Sequence, residues 1–313
     1  MSYTEKHIRW KLLLLTAAIW GVAFVAQSAG MEYIGPFTFN AIRNLMGAAV
    51  LLPCIVFLRR GRQTAEETKT AVKAETAAEN ASVQRKNLWL GGICCGIVLF
   101  AAGSLQQIGI MYTTVGKAGF ITAMYIVLVP VFGLFLHRDT DKKVWAAVFL
   151  AAAGLYLLCM KGGDISFQNG DVFLFGCAIA FTVHILVIDY FSTKADGVKM
   201  SCIQFLTCAL LSGIFAAAEK PAAADILRAW VPLAYAGVLS CGVGYTLQIV
   251  GQRGMNPTVA SLLLSLESVI SVLAGWLILG EVLSARELSG CVMMFAAIIL
   301  AQLPGRTQNR DRT

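Results

Sequence analysis

The sequence predicts an all-α integral membrane protein: ten transmembrane helices in two inverted five-helix repeats, with both termini cytoplasmic. Three observations lead there. The 313 residues are 58% hydrophobic and only 14% charged, with a mean hydropathy of +0.71, well outside the averages of soluble domains. Apolar runs near the roughly 20 residues that cross a bilayer recur along almost the whole chain. A shift of 142 residues lays part of the second half over the first.

Hydrocarbon offers no water to backbone groups, so a spanning chain is a helix bundle or a closed barrel, and runs this long lack the alternation of barrel strands. The expected spans are 12–30, 37–58, 88–111, 116–136, 144–160, 170–191, 199–218, 230–250, 257–279 and 286–303. The first follows Lys6, Arg9 and Lys11 and ends on small residues, Ala26 to Ala29, an outline shared with secretory signals. Its apolar run is long for a signal, and its loss would spoil the charge pattern below, so it is read as a retained helix. The second carries Arg43 inside "FNAIRNLMGAAVLL". Residues 59–87 form the only long connection, mixed in charge and rich in Ala, Glu, Thr and Lys. It reads as a solvated cytoplasmic linker, with a regulatory segment as the alternative. In the third span Gly92 and Gly96 make a GxxxG pattern that favours close helix contact. Residues 304–313 form a cytoplasmic tail.

Orientation follows from Lys and Arg. Nineteen lie on one side, from Lys6 through Arg59–Lys86, Arg138–Lys143, Lys194, Lys199 and Arg253 to Arg312. Only Lys117, Lys161, Lys220, Arg228 and Arg286 lie on the other, and Arg43 sits well inside a span. The basic side belongs in the cytoplasm. The net charge of +7 is then mostly topology and contact with anionic lipid, not a nucleic-acid footprint. Nine cysteines, nearly all within spans and none in a CxxC pair, read as small buried hydrophobes with no metal site, disulfide framework or cofactor.

The 142-residue shift aligns "SLQQIG" with "TLQIVG", so Leu105, Gln106 and Gly109 meet Leu247, Gln248 and Gly251. The match continues ungapped through Ala118 with Ala260, Val127 with Val269 and Gly133 with Gly275. An odd number of spans separates the copies, so the halves, 1–160 and 161–303, enter the membrane in opposite senses. Secondary transporters built this way bind substrate near the midplane, where the halves meet, and work by alternating access.

The chain resembles the EamA type transporters of the drug/metabolite transporter superfamily. The resemblance rests on "LLLLTAAIWGVAFVAQ" with its Trp-Gly pair, "GPFTFNAIRNLMGAAVLL" with a single early Arg, "GKAGFITAMYIVLVPVFGLFL" and "NPTVASLLLSLESVISVLAGWLILGEVLS". It implies ten helices, with spans one to four and six to nine around a central cavity and spans five and ten at the periphery. It also implies transport of small organic solutes such as amino acids, often outward, across a bacterial inner membrane. The family often follows the ninth-span glutamate with proline; here Ser268 follows Glu267, which removes the usual cause of a kink.

The residues themselves point the same way. Asn40, Arg43, Asn44 and Gly47 fall at i, i+3, i+4 and i+7, one narrow polar face on an apolar helix. Arg43 lies about six residues, or roughly 9 Å, inside the outer boundary. It is either an anchor snorkelling to the headgroups or a cavity-facing cation that binds a carboxylate or orders the outer gate. Glu267 lies near the middle of the ninth span, where an ionised carboxylate costs about 2.5 to 3.5 kcal/mol. A carboxyl that exchanges protons within reach of a cavity serves proton coupling or substrate contact; the alternative is a fixed bond within the bundle, an ion pair to Arg43 among them. Ser261, Ser265 and Ser268 form a stripe read as packing. Further candidates are Trp20 and Gln27, Gln106 and Gln107, Thr122 and Tyr125, and Tyr245 and Gln248, each either cavity-facing or bridging helices. His184 is either a packing residue or a cavity polar group.

A membrane enzyme would need an HExxH, a nucleophile with a neighbouring His or an Asp-rich metal site, and an ATP-driven pump a GxxxxGK[ST] loop; neither class is expected. A receptor or channel fits the pseudo-symmetry less well than a carrier. Nucleotide-sugar or phosphate carriers should line their cavity with several cations, whereas the spans offer Arg43, with Lys117 near the outer mouth. The expectation is a secondary carrier for a small zwitterion or modestly apolar metabolite, with a nucleotide-sugar or nucleoside-type solute as the alternative. Its partners are the substrate and the lipid bilayer, and it works as a monomer or a homodimer.

Overall fold

The computed structural model describes residues 3–66, 74–113, 115–137, 141–159, 169–279 and 284–302, and every element among them is helical. In chain order these are α1 (Tyr3–Gly30), α2 (Pro36–Glu66), α3 (Ala74–Ile110), α4 (Val115–Thr122), α5 (Tyr125–Phe135), α6 (Lys142–Cys159) and α7 (Asn169–Ser192). They continue with α8 (Gly197–Glu219), α9 (Ala223–Arg228), α10 (Trp230–Ala234), a π-helical segment (Tyr235–Tyr245), α11 (Thr246–Gln252), α12 (Pro257–Leu264), α13 (Leu266–Leu279) and α14 (Ala285–Gln302). The expected tail, Lys161, residues 67–73 of the linker and the Lys117 side chain lie outside the described residues.

Capping chemistry decides where several helices begin. Pro36 opens α2, and Glu219 at the end of α8 supplies acceptors to the next two N–H groups, Phe37 at 3.0 Å and Thr38 at 2.7 Å. Gly35 precedes them because a Cβ there would collide with that carboxylate. Asp196 caps α8 by accepting from Val198 and Lys199 N–H, and Asn256 caps α12 ahead of Pro257. Ser284 and Glu287 form a reciprocal capping box on α14.

Among the described residues eight helical stretches are long and apolar enough to cross a membrane, and they coincide with the expected first to fourth and sixth to ninth spans. The helices α6 and α14 stand where the fifth and tenth were expected and pack on each other, Gly154 lying against the Gly290 carbonyl. Three details differ from expectation. Most of the 59–87 linker continues helices, because α2 runs on to Glu66 and α3 already begins at Ala74. The fourth and ninth spans are each broken in the middle, into α4–α5 and α12–α13. The eighth contains an 11-residue π-helix, far longer than the single-turn bulges usual for that geometry.

The two halves of the chain interleave. α2 packs on α8, α3 on α7 and α8, and α1 on α13 and the π segment. Small residues set these crossings, since lipid supplies no hydrophobic drive between helices and close packing must. Gly92 and Gly96 face Ile203 and Thr207 of α8, as the GxxxG pattern predicts. Gly21 lets α1 approach α13 so closely that a Cβ would lie 2.5 Å from Ile270 Cβ and 2.7 Å from the Glu267 carbonyl. Large apolar side chains such as Phe135, Leu210, Ile214 and Leu277 are exposed on the outside, a belt that suits hydrocarbon.

That contact predicts a contrast. Gly21→Leu should destabilise the protein in detergent by about 1–3 kcal/mol, the usual cost of overpacking. Gly213→Leu should not, because nothing lies within 4 Å of a Cβ at that position. Thermal midpoints by size-exclusion fluorescence compare the two; equal midpoints would contradict the tight α1–α13 seam.

Candidate functional site

Seven elements from both halves meet around one small internal cavity of about 30 Å³. A buried water takes roughly 10–15 Å³ of such space, so the cavity holds about two waters and no metabolite. The cavity in this structure is thus too small for a substrate. Of the residues singled out in the sequence, Trp20, Gln27, Arg43, Gln106, Tyr125, Tyr245 and Glu267 line it. Asn40, Asn44, Gln107, His184 and Gln248 are buried but stand back from it. Ala23, Phe24, Phe181 and Ser240 complete the wall.

Arg43 comes to the cavity from the polar face of α2, whose register also sets Gly47 against Cys241 of the π segment. Its side chain is 3% exposed and Nη1 donates to Gln27 Oε1 at 2.9 Å. The guanidinium thus turns into the bundle rather than up to the headgroups. Its carbon lies 5.7 Å from the Phe39 ring centroid, and Gly103 of α3 leaves it room: a Cβ there would sit 3.1 Å from Nη2. No carboxylate lies within ion-pair distance among the described residues, and Nε has no hydrogen-bond partner. Along the same face Asn44 Nδ2 donates to the Asn40 carbonyl, while both side-chain polar atoms of Asn40 are unpartnered. Gln107 Nε2 points to Met31 Sδ, outside the cavity.

Glu267 arrives from α13, 4% exposed. Tyr125 Oη donates to its Oε1 at 2.9 Å, and the carboxyl has no cation and no other hydrogen-bond partner among the described residues. The ion pair to Arg43 is not formed. Tyr125 and Glu267 stand 142 residues apart, the repeat shift itself, so equivalent positions of the two halves touch each other. The helix breaks follow the same shift within a residue, at Met124 and at Ser265, with closely similar backbone angles (φ −59°, ψ −12° and φ −62°, ψ −12°). No proline causes the second break. Ser261, Ser265 and Ser271 each bond back to a carbonyl three residues earlier, which bends a helix, and Ser268 reaches the Gly119 carbonyl of α4 at 3.4 Å.

The remaining wall is aromatic. Trp20 and Tyr245 pack with ring centroids 4.5 Å apart, and the π segment helps to hold them. Wide i→i+5 winding redirects carbonyls, and two of them accept from α1: Ser240 from Trp20 Nε1 at 3.4 Å and Gly244 from Thr16 Oγ1 at 3.2 Å. Behind Tyr245, His184 Nε2 lies 3.2 Å from Gln204 Oε1. Gln106 and Gln248, equivalent under the shift, are not equivalent in place, since only Gln106 reaches the cavity. Among the described residues no group of three His, Cys, Asp or Glu could hold a metal ion.

Comparisons with known proteins agree with this architecture. A transporter from Archaeoglobus fulgidus, described as uncharacterized, is 26% identical over 292 residues, which cover 93% of this chain and 84% of that one. The threonine/homoserine exporter RhtA of Escherichia coli is 28% identical over 186 residues, 56% of this chain and 60% of its own. A protein of known crystal structure superposes with a TM-score of 0.73 over 94% of this chain and 96% of its own, at 16% identity, a likeness of fold alone. The EamA-like transporter family matches residues 9–160 and 168–303, nearly the whole described bundle, and the chain belongs to that family.

Proposed function

We propose that the protein is a secondary active exporter of small zwitterionic metabolites, amino acids foremost, working by alternating access and coupled to protons through Glu267. The observation that carries this is a guanidinium and a carboxyl that face one small cavity and are not paired with each other. A substrate with one carboxylate and one ammonium group complements both. The surrounding Trp20, Phe24, Phe181 and Tyr245 suit an uncharged remainder. RhtA, similar over part of the chain, is named for the export of two amino acids, which favours the same class.

The architecture that goes with this function has ten spans, α6 and α14 among them, in two inverted repeats, 1–160 and 161–303. Both termini face the cytoplasm of a bacterial inner membrane. The contact of Tyr125 with Glu267 and the paired helix breaks support a pseudo-twofold axis through the cavity, and the basic residues support the orientation. Counterflow in proteoliposomes with a panel of amino acids and nucleosides tests the function. Amino acids should exchange and nucleosides should not; nucleoside exchange, or no exchange at all, overturns the zwitterion assignment.

A further inference from the structure

A second buried polar pair lies behind the cavity wall. In the first half, the bond from Arg43 to Gln27 joins α2 to α1; in the second, Gln204 and His184 join α8 to α7. Arg43 and Gln204 are each the eighth residue of their helices. The two pairs therefore occupy matching helices of the two halves, but only the first is charged. His184 and Gln204 are both 0% exposed, and neither His184 Nδ1 nor Gln204 Nε2 has a partner. Ser201 Oγ, one turn earlier on α8, is unpartnered too.

Unpartnered buried polar atoms are costly and rare, and here they have a definite complement. If His184 Nε2 donates to Gln204, Nδ1 is left as an acceptor and the amide N–H as a donor. With the opposite tautomer and amide orientation, Nδ1–H becomes the donor and the amide oxygen the acceptor. Either way the pair presents one donor and one acceptor, both neutral. That matches a hydroxyl or a carboxamide, which carries one of each; an ammonium has no acceptor and a carboxylate no donor. The pair is also close to the cavity. Its imidazole packs edge-on to Phe181 and Tyr245, with centroids 6.4 and 5.9 Å away, and both of those rings line the cavity. Those two rings link the pair to the cavity.

We infer that His184 and Gln204 form a side-chain subsite of the transport cavity, opened when Tyr245 withdraws, which takes a hydroxyl or carboxamide group of the substrate. The inference rests on the zwitterion function proposed above and narrows it. Arg43 takes the carboxylate, Glu267 the ammonium, and the neutral pair distinguishes polar side chains from apolar ones of the same shape.

Isosteric amino acids test it in proteoliposomes holding the full chain. Threonine differs from valine, and asparagine from leucine, by polar atoms at nearly constant shape. The wild type should favour threonine over valine, and asparagine over leucine, by about tenfold in initial counterflow rate, as expected for a site whose polar groups are left unpaired by the wrong ligand. In Gln204→Met both ratios should fall to about one, while His184→Gln, which keeps a donor and an acceptor, should retain part of the preference. Wild-type ratios near one, or ratios that survive Gln204→Met, overturn the subsite. A wild type that moves none of the four amino acids overturns the zwitterion function beneath it.

Discussion

Replacing Arg43 with Gln should cut amino-acid counterflow by about 100-fold, the loss of charge-assisted bonds to a carboxylate, and leave the protein folded. The second half of that outcome follows from the geometry. The guanidinium is buried against Phe39 and bonded to one neutral side chain, Gln27, with no carboxylate in reach among the described residues. A buried charge without a counterion costs stability, so its removal should hold or raise the thermal midpoint. Arg43→Lys keeps the charge but loses the planar fork and should recover only part of the rate. Gln27→Ala leaves the cation in place and should cost about tenfold or less, as one hydrogen bond does. Initial rates and thermal midpoints on the same preparations check all three. Unimpaired counterflow by a well-folded Arg43→Gln would remove Arg43 from the site.

Hydrophobic runs were the clearest signal in the chain because bilayer thickness imposes a length that few other constraints share. The unpaired ionisable residues Arg43 and Glu267 were legible for a related reason: hydrocarbon makes a charge expensive enough to demand an explanation. The 142-residue shift proved more informative than its scattered identities, since it also relates Tyr125 to Glu267, whose side chains meet. Partners were not legible. Nothing in the spacing of Gln27 and Arg43 says that they bond across α1 and α2, because the pairing depends on how two helices cross.

Some features left no mark in the sequence at all. Phe181 and Gln204 look like ordinary members of an apolar helix and a mildly polar one, and only packing brings the first to the cavity and the second to His184. The π-helix at Tyr235–Tyr245 has no residue signature beyond three glycines, which admit Met46, Val50 and Trp20 from α2 and α1. The ninth-span break appears without the proline that usually causes one. Local serine back-bonding replaces it, a mechanism visible in composition only once the bonds are seen.

Glu267→Gln should abolish substrate accumulation driven by a pH gradient while exchange of substrate for substrate continues, slowed by about 10- to 100-fold because the charge-assisted contact to the ammonium group is lost. The carboxyl is suited to carry a proton because of what surrounds it. One oxygen accepts from Tyr125, and the other has no protein partner among the described residues, so it is open to cavity water and to a substrate ammonium group. On the proposed function a proton and an ammonium group would compete for the same carboxylate, and that competition would suffice for antiport, since binding either ligand would expel the other and the carrier would return loaded with one or the other. Glutamine has nearly the same shape and can still accept from Tyr125, but it can neither gain a proton nor lose one. Exchange needs only that the cavity bind and reorient, so it survives. Accumulation against a gradient needs the proton to travel, so it does not. Tyr125→Phe removes the fixed neighbour and keeps the proton carrier, and coupling should persist in it. Undiminished pH-driven accumulation by Glu267→Gln would exclude Glu267 as the coupling group, whatever its effect on rate.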